Sequence, residues 1–158
     1  MPTKPLSLMW LSVLGVLTLC ACGRAAPPLA GTGALAQGFV GKGWVDSARA
    51  GRERVPPGGR IYVHLHPGAP RTANVLRRLD DLVASREHVE VIGLMASPTR
   101  EEAREALRAL GFSHPCLYGV SRAELARHGI TQAPAVRVLD GGGHLIARDL
   151  LGIALLAR

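Results

Sequence analysis

The stretch RIYVHLHPGAPRTANVLRRLDDLVASREHVEVIGLM, residues 60–95, decides the fold of this chain. Its first six residues are rich in β-branched and aromatic side chains and follow the turn-forming PPGG of 56–59, which predicts a strand. Pro70 stands where a helix can begin, and apolar residues then recur at helical spacing from Val75 to Val83. Residues 89–95 are a second β-rich run. The stretch therefore predicts a strand, an amphipathic helix and a second strand.

The same alternation continues toward the C-terminus. Capping boxes at 99–102 and 121–124 predict two further helices, the first ending at Gly111 and the second at 128–129. A short strand is expected at 116–120, and the DGGG of 140–143 predicts a hairpin between the runs 135–139 and 144–147. Strand-helix-strand units with right-handed crossovers form parallel sheets, and a hairpin adds an antiparallel edge. We expect an α/β three-layer sandwich with a mixed sheet and a C-terminal β-hairpin.

The N-terminus has the three parts of an export signal. Lys4 is a short positive start, residues 6–19 are apolar, and Leu19-Cys20-Ala21-Cys22 looks like a lipobox. About 14 apolar residues make roughly 21 Å of helix, which is short of the ~30 Å hydrocarbon core. We therefore expect a lipoprotein signal peptide at 1–21 and acyl chains on Cys22, which would anchor the chain in a membrane. The alternative is an ordinary signal peptide with incidental cysteines.

Composition divides the rest of the chain into a tether and one domain. Residues 22–43 are rich in Gly, Ala and Pro, which is typical of a flexible tether, and 44–158 are patterned as a single domain. The net charge of +7 comes mostly from arginines interleaved with acids, which indicates a solvated surface and no nucleic-acid partner. Gly23 is not the Asp that retains many lipoproteins at the inner membrane, so a periplasm-facing position on the outer membrane is favoured in a Gram-negative organism.

Several segments, taken in order, resemble one family. GKGWV at 41–45 is similar to a lead-in strand, VIGL at 91–94 to a second strand before a Glu-rich helix, and LARHGI at 125–130 with Ala133-Pro134 to a closing segment. Together they resemble the thioredoxin-like fold, in particular the membrane-anchored TlpA-like redoxins of the bacterial cell envelope. The resemblance covers about residues 40–150.

The resemblance implies a dithiol site that this chain lacks. Such proteins act through Cys-x-x-Cys at the start of the first long helix, where the helix dipole stabilises a thiolate. The equivalent residues here are Ala69, Pro70, Arg71 and Thr72, and no cysteine occurs between 23 and 115. The resemblance also implies a cis peptide at Ala133-Pro134, in a loop that faces the helix start and pairs with extended peptides.

The leading hypothesis is a redox-inactive binding or assembly module of the cell envelope. Its partners would be the bilayer, through acylated Cys22, and an envelope protein or extended peptide, and no cofactor is expected. The alternative is a thiol oxidoreductase or peroxidase that uses Cys116, the single thiol of the mature chain, with His114 lowering its pKa. Against this alternative, a lone Cys is often a small core residue.

Three further features leave alternatives open. His64 and His66 alternate on one strand and could hold a metal with His128, His144 or Cys116, or they could form a polar strand edge. The stripe of Arg100, Arg104 and Arg108 could contact an acidic partner or be a solvated helix face. Few residues follow Leu151, so either a short helical turn or a partner must cover the last face of the sheet.

Overall fold

The structure is a computed structural model that describes residues 38–46 and 54–156. The predicted signal peptide, the acylation site Cys22 and most of the predicted tether lie outside these residues. The described strands are β1 (Gly43–Trp44), β2 (Arg60–His64), β3 (Glu90–Leu94), β4 (Cys116–Tyr118), β5 (Ala135–Leu139) and β6 (Leu145–Ala147). The described helices are α1 (Thr72–Val83), α2 (Arg100–Leu110), α3 (Arg122–Arg127) and a closing 3₁₀ helix (Leu150–Leu155). Among the residues described, no helix is long and apolar enough to cross a membrane.

The described strands form one mixed sheet in the order β1-β4-β3-β2-β5-β6. Strands β2, β3 and β4 run parallel, as the two strand-helix-strand units predicted. Strand β5 is antiparallel to β2 and β6 is antiparallel to β5, so the predicted hairpin forms one edge. The lead-in strand β1 pairs antiparallel with β4 at the other edge. The predicted mixed α/β sheet is confirmed.

A hydrophobic core covers each face of the sheet, which makes the predicted three layers. Strand β2 is buried at all five positions because successive side chains enter opposite cores. Ile61 and Val63 pack with Leu79 of α1 and Leu107 of α2. Tyr62 faces the other core, which α3 closes with Leu125.

The predicted capping boxes and hairpin turn are present and are stabilised by hydrogen bonds. The Thr99 hydroxyl accepts from the Glu102 amide at 3.2 Å, and the Ser121 hydroxyl accepts from the Glu124 amide at 3.0 Å. Gly111 ends α2 with a φ of 66°, a left-handed conformation that glycine adopts without steric cost. In the hairpin turn one carboxylate oxygen of Asp140 accepts two amide protons, from Gly142 and His144, both at 2.9 Å. The starts of α2 and α3 and the end of α2 therefore have local chemical causes.

The domain begins earlier than the composition predicts. The Phe39 ring lies 4.8 Å from the Tyr62 ring, and the Val40 amide donates to the Glu124 carboxylate at 3.0 Å. The same carboxylate oxygen also accepts from Arg127 at 2.7 Å. Phe39 and Val40 are thus packed on the domain, whereas composition placed them in the tether. Composition does not reveal this contact, because the glycine-rich sequence around Phe39 has no helical or strand period.

The closing 3₁₀ helix resolves the question of the last sheet face. The Asp149 carboxylate accepts from the Gly152 amide at 3.1 Å and starts the helix. Ile153 and Leu156 are buried in the core that contains α1, whereas Leu151 and Leu155 are 75% and 68% exposed. A short helical turn therefore covers this face with two side chains, and two other leucines remain on the surface.

Candidate functional site

The start of α1 carries the four residues that stand in the Cys-x-x-Cys position. The Thr72 amide donates to the Ala69 carbonyl at 3.0 Å, so 69–72 form a turn that leads into the helix. Thr72 is buried and its hydroxyl donates to the His66 carbonyl at 3.0 Å. Arg71 is the N-cap residue and makes no side-chain capping bond. Hydrogen bonds hold the turn in place. Its side chains include no group that can exchange electrons with a thiol.

The Pro134 loop lies at the same end of the sheet. The Ala133-Pro134 peptide bond is cis, as the resemblance implies. His64, the last residue of β2, pairs with Ala135 at the start of β5, and its Nδ1 donates to the Gln132 carbonyl at 3.1 Å. The end of β2 is thus bonded to the Pro134 loop, and the loop after β2 is bonded to the α1 start through Thr72. These contacts hold the two halves of the inferred site at one end of the fold.

His64 and His66 do not lie on one strand as the sequence predicts, because β2 ends at His64 and His66 is in the loop that follows. His64 is buried, and this burial lowers its pKa despite the hydrogen bond to Gln132. His66 is exposed, and its Nδ1 accepts from the Gly68 amide at 3.1 Å. Within 38–46 and 54–156 no group of three His, Cys, Asp or Glu side chains is arranged to hold a metal ion. The described residues therefore supply no third ligand for these two.

Burial of histidines predicts a pH-dependent stability. Burial lowers the pKa of His64, and it also lowers the pKa of His128, so folding favours the neutral form of both imidazoles. Below pH 6.5 the unfolded chain binds protons that the folded chain does not, so the free energy of unfolding should decrease as the pH falls. Urea unfolding between pH 7.5 and pH 5 measures this. The stability of the His64→Gln variant should depend less on pH than that of wild type, and an unchanged slope would contradict the assignment.

Cys116 lies in the core and away from the Pro134 loop. It is on β4, which β3 and β2 separate from β5, and it is 1% exposed. A methyl group on Gly93 of β3 would lie 3.0 Å from its sulfur, which shows how closely the core packs there. Burial, with a smaller contribution from Asp46, raises the pKa of the thiol to about 12. His114 pairs instead with Asp80 at 3.3 Å. The arrangement opposes the thiolate that an exchange or peroxidase reaction requires.

This burial gives a direct prediction for thiol reactivity. In the folded chain, Cys116 should resist alkylation by iodoacetamide at pH 7.5 and react fully in 6 M urea, because only the unfolded chain exposes the thiol. Mass spectrometry after a timed quench measures the extent. Rapid labelling in the absence of urea, or formation of a sulfenic acid with dilute peroxide, would contradict the core assignment.

An open cleft of about 510 Å³ lies beside the Pro134 loop. One wall is α1, with Val75 and Arg78, and none of residues 69–72 lines it. The segment after β6 and the start of the closing 3₁₀ helix also line it. The floor is the Pro134 loop with the first residues of β5, and its lining residues are Gly129, Ile130, Thr131, Gln132, Pro134, Ala135, Val136 and Arg137. The cleft thus extends the inferred groove along α1, away from the helix start.

The charged residues of the cleft were not found from the sequence. They are Arg78, Arg137, Arg148 and Asp149, which come from α1, β5 and the segment after β6. Arg137 is buried, and it donates to the carbonyls of Val136 at 2.8 Å, His128 at 3.4 Å and Gly129. No sequence motif links these positions, so only the fold brings them together.

A second, shallower cleft of about 340 Å³ lies between α2 and the segment after β1. Arg104 and Arg108 of the predicted arginine stripe line it, together with Asp46. Arg100, the first member of the stripe, donates to the Val45 carbonyl at 2.7 Å. One member of the stripe therefore holds the lead-in segment, and the other two lie at the edge of this cleft.

Comparison with known proteins establishes the fold. A thiol-disulfide isomerase from Corynebacterium glutamicum superposes with a TM-score of 0.60 at 16% identity, over 76% of this chain and 94% of that one. MTB DsbF superposes with a TM-score of 0.56 at 18% identity, over 70% and 83% of the two chains. This chain has the thioredoxin-like fold. A thiol-disulfide oxidoreductase from Bacteroides fragilis also matches, with a TM-score of 0.53 at 20% identity, over 64% and 77%.

The sequence matches no protein-family profile and no curated protein. The likeness is therefore one of structure, and it covers most of each solved chain. It confirms the thioredoxin-like fold that the sequence resembles. In this thioredoxin-like chain the turn before α1 holds Ala69 and Thr72 where the resemblance implies the two cysteines.

Proposed function

We propose that this thioredoxin-like protein is a redox-inactive binding module that holds extended peptide segments of envelope proteins beside its Pro134 loop. The observation that carries the proposal is a thioredoxin-like fold whose only described thiol, Cys116, is buried away from that loop. Dithiol exchange needs a thiolate that attacks and a second thiol that resolves the mixed disulfide. Neither is present at the start of α1.

A peptide-binding role is supported by the shape of the site. The cleft is open, and its lining includes the apolar side chains of Val75, Ile130 and Leu150. Among the described residues, strand β6 pairs only with Val138 and Leu139 of β5. The first residues of β5 therefore pair with β2 along one edge and border the cleft along the other. An extended chain fits beside such a strand and can place alternate side chains in the cleft.

The proposal includes attachment to a membrane. What supports it is the sequence of residues 1–22, with a short positive start, an apolar run and the box before Cys22. Acyl chains on Cys22 would hold the domain at the periplasmic side of the envelope, with the outer membrane favoured in a Gram-negative organism. Metabolic labelling with a fatty acid tests this, and loss of the label in Cys22→Ser is the expected result.

A variant whose cleft is blocked by a large side chain tests the binding role. A fluorescent, cysteine-free, extended peptide is titrated with the full chain, and anisotropy reports binding. Thr131→Trp places a large ring in the cleft and should weaken binding by at least about tenfold, because it removes the buried contact of one side chain. Ser113→Trp puts the same ring in the second cleft and should bind like wild type. Binding that Thr131→Trp leaves intact would overturn the proposal.

A further inference from the structure

Two arginines come together at the rim of the cleft beside the Pro134 loop. A methyl group built on Gly129 would lie 3.7 Å from Nη2 of Arg137 and 3.9 Å from Nη1 of Arg148. Both guanidiniums therefore reach the same point at the end of α3. Burial lowers the pKa of Arg137, and the charge of Arg148 lowers it further. This second contribution agrees with the closeness of the two guanidiniums.

The buried member of the pair has no carboxylate partner among the described residues. Arg137 is 5% exposed, and its acceptors are the backbone carbonyls of Val136, His128 and Gly129. Carbonyls at a helix C-terminus are favourable acceptors but carry only partial negative charge. A guanidinium has five N–H donors, and these three bonds leave donors for a further acceptor.

The rest of the cleft adds positive charge. Arg78 on the α1 wall is exposed and makes no hydrogen bond or ion pair with other described residues. The one acidic lining residue, Asp149, uses a carboxylate oxygen to accept the Gly152 amide at 3.1 Å. Arg78 and Arg137 thus have no carboxylate partner among the described residues, and the one carboxylate in the cleft lining already caps a helix. The charge complement of this surface is a segment that carries several carboxylates.

We infer that the cleft selects extended peptides in which carboxylate side chains flank an apolar residue. The apolar residue would lie between Val75 and Leu150, and the carboxylates would accept from the arginines at the two ends. The inference rests on the proposed peptide-binding function and adds the chemical class of the ligand. A peptide is favoured over a small anion because the arginines come from α1, β5 and the segment after β6, and apolar side chains line the same cleft.

The test compares two peptides and four variants of the full chain: three single arginine replacements and Thr131→Trp. Both peptides are extended, cysteine-free and identical in their apolar residues, but one carries four Glu residues and the other four Gln residues. Arg78→Gln and Arg148→Gln should each weaken binding of the Glu peptide by at least about tenfold, as expected for loss of a charge-assisted hydrogen bond. Arg77→Gln removes the same charge from a neighbouring exposed position of α1 outside the cleft and should change binding less than about twofold.

The possible outcomes separate this inference from the proposed function. Preference for the Glu peptide that depends on Arg78 and Arg148 supports both. Equal binding of the two peptides, with both blocked by Thr131→Trp, overturns the acidic selectivity and leaves the binding function in place. Equal loss in Arg77→Gln would mean general charge attraction and would also overturn the selectivity. If neither peptide binds the wild-type chain, both proposals fail.

Discussion

Replacing Ala69 and Thr72 together with cysteine is expected to give this chain a disulfide-reducing activity, which we propose that the wild type lacks. The Thr72 amide is bonded to the Ala69 carbonyl at 3.0 Å, so the two residues close a turn whose ends are within the reach of a disulfide. At the start of a helix in Cys-x-x-Cys, a thiol pKa near 7 instead of 8.5 gives about 15-fold more thiolate at pH 7. Insulin reduction with dithiothreitol, followed by turbidity, measures the gain over the uncatalysed rate.

This experiment needs a clean thiol background and one matched control. Cys20 and Cys22 are replaced by serine in every protein, so that the leader region contributes no thiol. The single Ala69→Cys variant lacks the resolving thiol and should not turn over. If the double variant forms its disulfide but reduces insulin no faster than the single variant, absence of sulfur is not what makes the wild-type site inactive.

Truncating Ile153 to alanine is expected to cost about 2–5 kcal/mol in the free energy of unfolding, the range for a large aliphatic residue in a core. Ile153 is 0% exposed and is the side chain through which the closing 3₁₀ helix enters the core that contains α1. Urea unfolding followed by circular dichroism gives the difference.

The same helix provides the control for this loss. Leu155 is 68% exposed, so Leu155→Ala should change the free energy of unfolding by less than about 0.5 kcal/mol. Similar losses in both variants, or a loss below about 1 kcal/mol in Ile153→Ala, would show that the short helix does not close the domain.

The elements that could be predicted from the sequence are those with local causes. The hairpin follows from Asp140 and the three glycines after it, because the carboxylate is within reach of the amides that follow. Helices α2 and α3 can be predicted from Thr99 and Ser121, whose hydroxyls each accept a hydrogen bond from the amide three residues further along the chain. The burial of Cys116 follows from its place on a short apolar strand. Each of these depends on residues within a few positions of one another.

The candidate site could be predicted only in part, because its remaining pieces are far apart in the chain. The α1 start and the Pro134 loop were found through a resemblance. The cleft arginines were not, since Arg78, Arg137 and Arg148 meet only after β5 has paired with β2 and the closing helix has packed on α1. The contact of Phe39 with Tyr62 was missed for the same reason.

We propose that this thioredoxin-like chain binds partners but does not exchange disulfides. The most direct measurement is the rate of insulin reduction by dithiothreitol in the presence of the full chain with Cys20 and Cys22 replaced by serine. We expect a rate equal to that without protein, because the α1 start has no sulfur and Cys116 is 1% exposed. An acceleration proportional to the protein concentration that persists in Cys116→Ser would contradict the claim.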